Sequence, residues 1–213
     1  MRTNIVALIV SLMALVAGPN EGDAPARGSI TGQALSMLPT PTSSARTLSV
    51  LTYNVAGLPQ PISGSMPAEN SPIISGLLNA YDIVLVQEDF EYHDALTSKA
   101  RHPFRSSPMP RGRNLQNDGL NRLSVFPMSE VQRHSWKVCN GYILGANDCL
   151  AAKGFSFSRV QVEEGVWVDV YNLHADAGDT KEDAQARYSE YSQLARAINH
   201  YSQGNCVIVA GDM

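Results

Sequence analysis

Charge of one sign never accumulates in this chain. Sixteen lysines and arginines are set against 20 aspartates and glutamates, giving a net charge of −4 with no run of like residues. Bulk attraction to nucleic acid or to an anionic membrane is therefore absent, although a local basic patch would still be compatible with these totals. No internal repeat is present, which removes solenoids and propellers from consideration. Cysteine is scarce, at three residues, and the count is odd. The one long apolar stretch, Ile5 to Ala17, is broken by Ser11 and is short for a membrane span. What remains is a chain of 213 residues that is 44% apolar and 17% charged. That composition fits one globular domain, or a larger domain cut short.

The amino terminus reads as an export signal over residues 1–18: Arg2, then the apolar stretch, then small residues. A membrane anchor is the alternative. Export permits disulfides, and Cys139 and Cys149 bracket a loop rich in Gly and Asn whose closure would add about 2–3 kcal/mol. Cys206 is either a buried thiol or the partner of a cysteine outside this sequence. Residues 19–46 carry Gly, Pro, Ser and Thr with hardly an apolar cluster, as a linker or pro-segment would.

From Thr47 to Met213 the pattern is that of a folded domain. "LSVLTYN", "DIVLVQE" and "CVIVA" read as strands, and "GFSFSRVQV" with "VWVDVYNLH" as a hairpin turning at Glu163–Gly165. "SPIISGLLNAY" reads as a helix capped by Ser71, with Pro72 in its first turn. Residues 180–204 form the clearest helix. Its apolar positions recur at helical spacing, Thr180 and Asp183 make a capping box, and Gly204 stops it. Alternating strands and helices argue for an α/β fold with covered sheets.

Four of these strands end on a polar residue: Asn54, Glu88, His174 and Asp212. Side chains alternate along a strand, so each should lie at the rim of a buried face. Singly, each has an ordinary reading as a turn residue, a solvated charge or a core histidine. Jointly they make a set suited to chemistry. Carboxylates with one histidine and no cysteine suit a hard cation such as Mg2+ rather than zinc. Such an ion neutralises phosphoryl oxygens, while a histidine can donate to one as charge builds on it.

"LTYNVAGL", "DIVLVQE", "YNLHADAG" and "VIVAGDM", in that order, resemble the endonuclease/exonuclease/phosphatase superfamily, the deoxyribonuclease-I-like fold. "NDCLAAKGFSFSRV" and the form Gly-Asp-Met resemble its secreted sphingomyelinase-like members. The resemblance implies a four-layer α/β sandwich: two packed mixed β-sheets flanked by helices, incomplete at the carboxyl end. It implies that Glu88 binds the divalent metal with Asn54 beside it, and that His174 contacts the scissile phosphate. Asp212 would act on the attacking water together with an Asn two residues later, beyond Met213, and an acid/base His would follow further on. The 213-residue chain by itself is then expected to be inactive and prone to aggregate.

By residue type, Asn121 and Arg122 are candidate phosphate contacts, with Arg122 equally readable as a surface cation. Asp176 is expected to face water. His93, His102, His134 and His200 lack motif context and read as structural or exposed. The implied activity is that of a secreted, Mg2+-dependent phosphodiesterase acting on a phospholipid headgroup at a membrane surface. A secreted nuclease and an inactive fragment are the alternatives, and no protein partner is evident.

Overall fold

The computed structural model describes residues 5–11, 47–60, 62–110, 116–140, 149 and 151–213. The proposed linker, 19–46, lies outside them, as do the rest of the export signal and most of the loop between Cys139 and Cys149. Among the described residues, nine strands form two mixed sheets. They are β1 (Ile5–Ser11), β2 (Thr47–Asn54), β3 (Ile83–Gln87), β4 (Phe104–Arg105), β5 (Asn121–Ser124), β6 (Gln132–Ser135), β7 (Gly154–Glu163), β8 (Val166–His174) and β9 (Cys206–Asp212). The first sheet has the order β1-β2-β3-β5-β4 and the second β6-β7-β8-β9. β2 and β3 run parallel, as do β8 and β9, and every other pairing is antiparallel. β1 falls inside the stretch read as an export signal and pairs along β2.

Alternation along the strands builds the layers. Leu48, Val50, Ile83 and Leu85 of the first sheet meet Val160, Val168, Val170, Ile208 and Ala210 of the second. Each fully buried valine, leucine or isoleucine among them stabilises the fold by about 1.5–3 kcal/mol. The intervening residues face outward. Leu51, Val84, Val86 and Leu123 pack with Leu78 and Leu96, under helices α1 (Pro67–Leu77) and α2 (His93–Thr97). Phe155, Phe157, Tyr171 and Leu173 pack with Leu194 and Ile198 of α3 (Lys181–Tyr201). The result is helix, sheet, sheet, helix, the expected four layers.

α3 begins with the expected capping box: Thr180 accepts from the Asp183 amide at 3.1 Å, and Asp183 accepts from the Thr180 amide at 2.9 Å. α1 starts earlier than its apolar pattern predicts. Pro67 opens the helix, which places Ser71 inside it, buried, rather than at its cap. A proline with fixed φ is already suited to a first helical position, so the Ser71-Pro72 motif four residues past the true start misled the reading.

Cys139 and Cys149 are bonded, with a sequence separation of 10. Replacing both with serine is expected to cost about 2–3 kcal/mol, the entropy of a short loop. A urea midpoint unchanged from the parent would contradict this. Cys206 is exposed, not a buried thiol, because β9 has only just begun there.

Candidate active site

β2 and β3 lie side by side and parallel, with Asn54 opposite Gln87. β8 and β9 do the same in the other sheet, with His174 opposite Asp212. The four carboxyl ends meet at one rim between the sheets. There the Asn54 amide nitrogen donates to Glu88 Oε1 and to Asp212 Oδ2, each at 2.8 Å. Its oxygen accepts from the Ala56 amide at 2.9 Å, which fixes the orientation of the side chain. His174 Nε2 lies 3.8 Å from Asp212 Oδ2 and 4.0 Å from Glu88 Oε1. Asn54, Glu88, His174 and Asp212 are thus gathered around one point. The His174 side chain is buried at 6% exposure, whereas Glu88 and Asp212 keep 24% and 40% and so meet solvent.

Glu88 reaches this point against the alternation of its own strand. Val84 and Val86 face the helices, and a continued strand would send Glu88 the same way. Instead its φ is +56°, in the left-handed region, and the side chain turns to the rim. Such a conformation is rare for a residue with a Cβ. Its surroundings accommodate it. The Glu88 carbonyl accepts from the amides of Gly57 and Phe90, both at 3.0 Å, and the Asp89 amide donates to Gly119 O at 3.1 Å. Gly119, itself at φ +62°, leaves no room for a Cβ: one there would stand 2.7 Å from the Phe90 ring and 3.0 Å from Glu88 Cα. Gly57 and Gly119 escaped the sequence reading; each stands 31 positions from Glu88, so no local signal marked them.

The structure does not bring Asn121 to the rim. Its Cα partner is Val86, so it faces the helices, buried. Its amide donates to Asp89 Oδ2 at 2.8 Å and accepts from Ser106 Oγ at 3.1 Å and Arg133 Nη2 at 2.9 Å. Arg122 is neither a phosphate contact nor a surface cation. It is buried between the sheets, donating to Ser156 Oγ and Ser158 Oγ at 2.6 Å and to Val170 O at 2.9 Å. Burial, with the like charge of Arg133, pushes its pKa down to about 9, so it stays cationic at neutral pH. The Phe-Ser-Phe-Ser alternation of β7 explains the seat: phenylalanines pack outward and the small serines leave space inside. Beside it, Gln87 donates to Thr52 Oγ1 at 3.1 Å and Asn172 Oδ1 at 2.6 Å. A polar layer therefore underlies the four rim residues.

Asp176 is also displaced from expectation. It is 3% exposed rather than solvated, and its Oδ2 accepts from the Asn140 amide at 2.8 Å beside the disulfide. The four histidines without motif context are accounted for structurally. His102 is buried and bonded to Tyr81 O, His134 stacks on Phe155, His200 is exposed, and His93 Nδ1 meets Asp89 Oδ2 at 2.6 Å.

The hydrogen bond to Asp89 raises the His93 pKa above its ordinary value. Partial burial opposes the rise, the charges of Asp89 and Asp94 add to it, and that of Arg105 opposes it. A folded value above the unfolded one, about 6.5, contributes stability below that pH and loses it as pH rises through the folded value. His93→Gln is expected to flatten the fall in urea midpoint with rising pH, between about pH 6 and 8. An unaltered slope would contradict the assignment.

No protein-family model matches the chain. A sphingomyelinase of Mycobacterium tuberculosis is 37% identical over 171 residues, covering 77% of this chain and 33% of the relative. The chain therefore spans about a third of the length of the curated relatives it matches. Among solved structures, sphingomyelinase C from Streptomyces griseocarneus superposes with a TM-score of 0.64 at 24% identity, covering 78% of this chain and 63% of that one. A mutant beta toxin from Staphylococcus aureus with bound magnesium ions gives 0.64 at 18% identity, covering 76% and 63%. The two sheets, the motif order and these likenesses agree: the chain has the deoxyribonuclease-I-like fold of the endonuclease/exonuclease/phosphatase superfamily and a sequence similar to that of sphingomyelinases.

Proposed function

We propose that this chain carries the catalytic rim of a secreted, Mg2+-dependent phosphodiesterase that cleaves a phospholipid headgroup such as that of sphingomyelin. The observation that carries the reading is the convergence of Asn54, Glu88, His174 and Asp212, each with a polar atom within 4.0 Å of two of the others. The sphingomyelinase relatives support the substrate class, and the amino-terminal export pattern supports secretion.

The residues fit a hard divalent cation. Two carboxylates are collected on a single amide, both open to solvent and with no thiolate nearby. Among the described residues no set of three or more His, Cys, Asp or Glu side chains could cage a metal. Mg2+ suits such a site, because it keeps most of its waters and takes one or two carboxylates. The magnesium ions in the beta toxin structure agree with this choice. Glu88 would hold the ion, which when bound supplies charge neutralisation at a phosphoryl oxygen and a lowered pKa for water.

The remaining steps belong to side chains of this chain. His174 Nε2 donates to a phosphoryl oxygen as negative charge builds there. Asp212 accepts a hydrogen bond from the attacking water and orients it for in-line displacement. Asn54 holds both carboxylates, because its amide nitrogen faces them and its oxygen is engaged by Ala56. On this reading Asn54 belongs to the metal site beside Glu88 and positions both carboxylates.

A protein carrying this chain is expected to release phosphocholine from sphingomyelin vesicles in a reaction stopped by EDTA. His174→Ala should slow it by about 10²-fold or more. Absence of any EDTA-sensitive release would contradict the proposal. DNA cleavage that falls steeply with salt, with the lipid untouched, would support a nuclease instead.

A further inference from the structure

We infer that Asp89 is a positioning residue for Glu88, occupying a polar seat on the helix side of the first sheet that Glu88 would otherwise take. The inference rests on the reading of Glu88 as the metal-holding carboxylate. Strand alternation assigns the helix side to Glu88, as to Val84 and Val86, and the inter-sheet side to Asp89. The structure shows the two exchanged. Asp89 is 1% exposed, and its Oδ2 accepts from Asn121 Nδ2 at 2.8 Å and pairs with His93 Nδ1 at 2.6 Å. Glu88 meanwhile lies at the rim on Asn54.

The seat is built for a carboxylate. Asn121 offers its amide nitrogen because its oxygen is held by Ser106 and Arg133, and Arg133 is itself paired with Asp118 at 2.6 Å. The fold must choose which of two consecutive carboxylates fills this seat. Extended backbone would seat Glu88; left-handed backbone at Glu88 seats Asp89. Two hydrogen bonds to a buried carboxyl group offset the strain of one left-handed residue, roughly 1–3 kcal/mol. With Asp89 seated, Glu88 has nowhere to go but the rim. Remove the Asp89 carboxylate and the strained turn loses its compensation, while the vacated seat becomes available to Glu88.

The test uses a protein carrying this chain, labelled with ¹⁵N, and reads the Asn54 side-chain amide resonances without metal and Mn2+ affinity by calorimetry. Glu88→Ala supplies the reference shift for an Asn54 amide that has lost this carboxylate. Asp89→Ala should move the Asn54 resonances toward that reference and weaken Mn2+ by about tenfold. Asp89→Asn, nearly isosteric, serves the same purpose should the alanine variant fail to fold. In a Glu88→Ala background, Asp89 replacement should change Mn2+ affinity no further. Asn54 resonances unchanged in both Asp89 variants would overturn the inference. Mn2+ affinity unchanged in Glu88→Ala would instead overturn the metal reading, and the Asn54 resonances still decide whether Asp89 sets the direction of Glu88.

Discussion

In a protein carrying this chain, Glu88→Gly is expected to unfold at higher urea than Glu88→Gln, by about 1 kcal/mol, while both lose metal-dependent turnover by about 10³-fold or more. The two halves of this result have different origins. The stability half comes from the backbone. Glu88 holds φ at +56°, where a Cβ crowds the neighbouring carbonyl and glycine has none. Gln keeps the Cβ and the shape of the side chain, so it retains the strain while removing the charge. The activity half comes from the carboxylate at the rim. Glycine more stable than glutamine would show a residue kept in a strained conformation for chemistry rather than for folding. Glutamine equal to or more stable than glycine would contradict the left-handed assignment.

Gly119→Ala is expected to destabilise the fold by about 2–4 kcal/mol, the sum of a left-handed penalty and overpacking. The added methyl would press on the Phe90 ring and on the Glu88 backbone, and only the ring could move aside. The same variant should weaken Mn2+ binding, because displacing the Glu88 backbone swings its carboxylate off Asn54. Urea unfolding and calorimetry check the two effects together. A variant with parent-like stability and affinity would show that the Glu88 turn does not depend on this contact.

Periodicity made the frame legible. The apolar runs ending at Asn54, Glu88, His174 and Asp212 were visible as strands because buried strands are nearly continuous in apolar residues. The α3 helix was visible from its spacing and its capping box. What periodicity could not give was direction at the ends of elements. Alternation sends Glu88 to the helix side, and only the left-handed turn, supported by Gly57 and Gly119, brings it to the rim. Charge was equally misleading for Arg122 and Asp176. Arg122 read as a phosphate contact or a surface cation and Asp176 as a solvated carboxylate, yet Ser156 and Ser158 seat the first between the sheets, and the Asn140 amide takes the second into a buried contact. Asn121 has the right chemistry for a phosphate, but its register against Val86 turns it away. Long-range partners of this kind leave no local mark in a sequence.

The central claim is that four strand ends from two sheets share one cation-binding rim. Adding Mn2+ at a small fraction of the protein concentration and following ¹⁵N resonances tests it most directly, since paramagnetic broadening falls steeply with distance. The account predicts that Asn54, Glu88, His174 and Asp212 and their immediate neighbours lose intensity first and together. Broadening that begins elsewhere, or that reaches Glu88 while sparing His174 and Asp212, would contradict it.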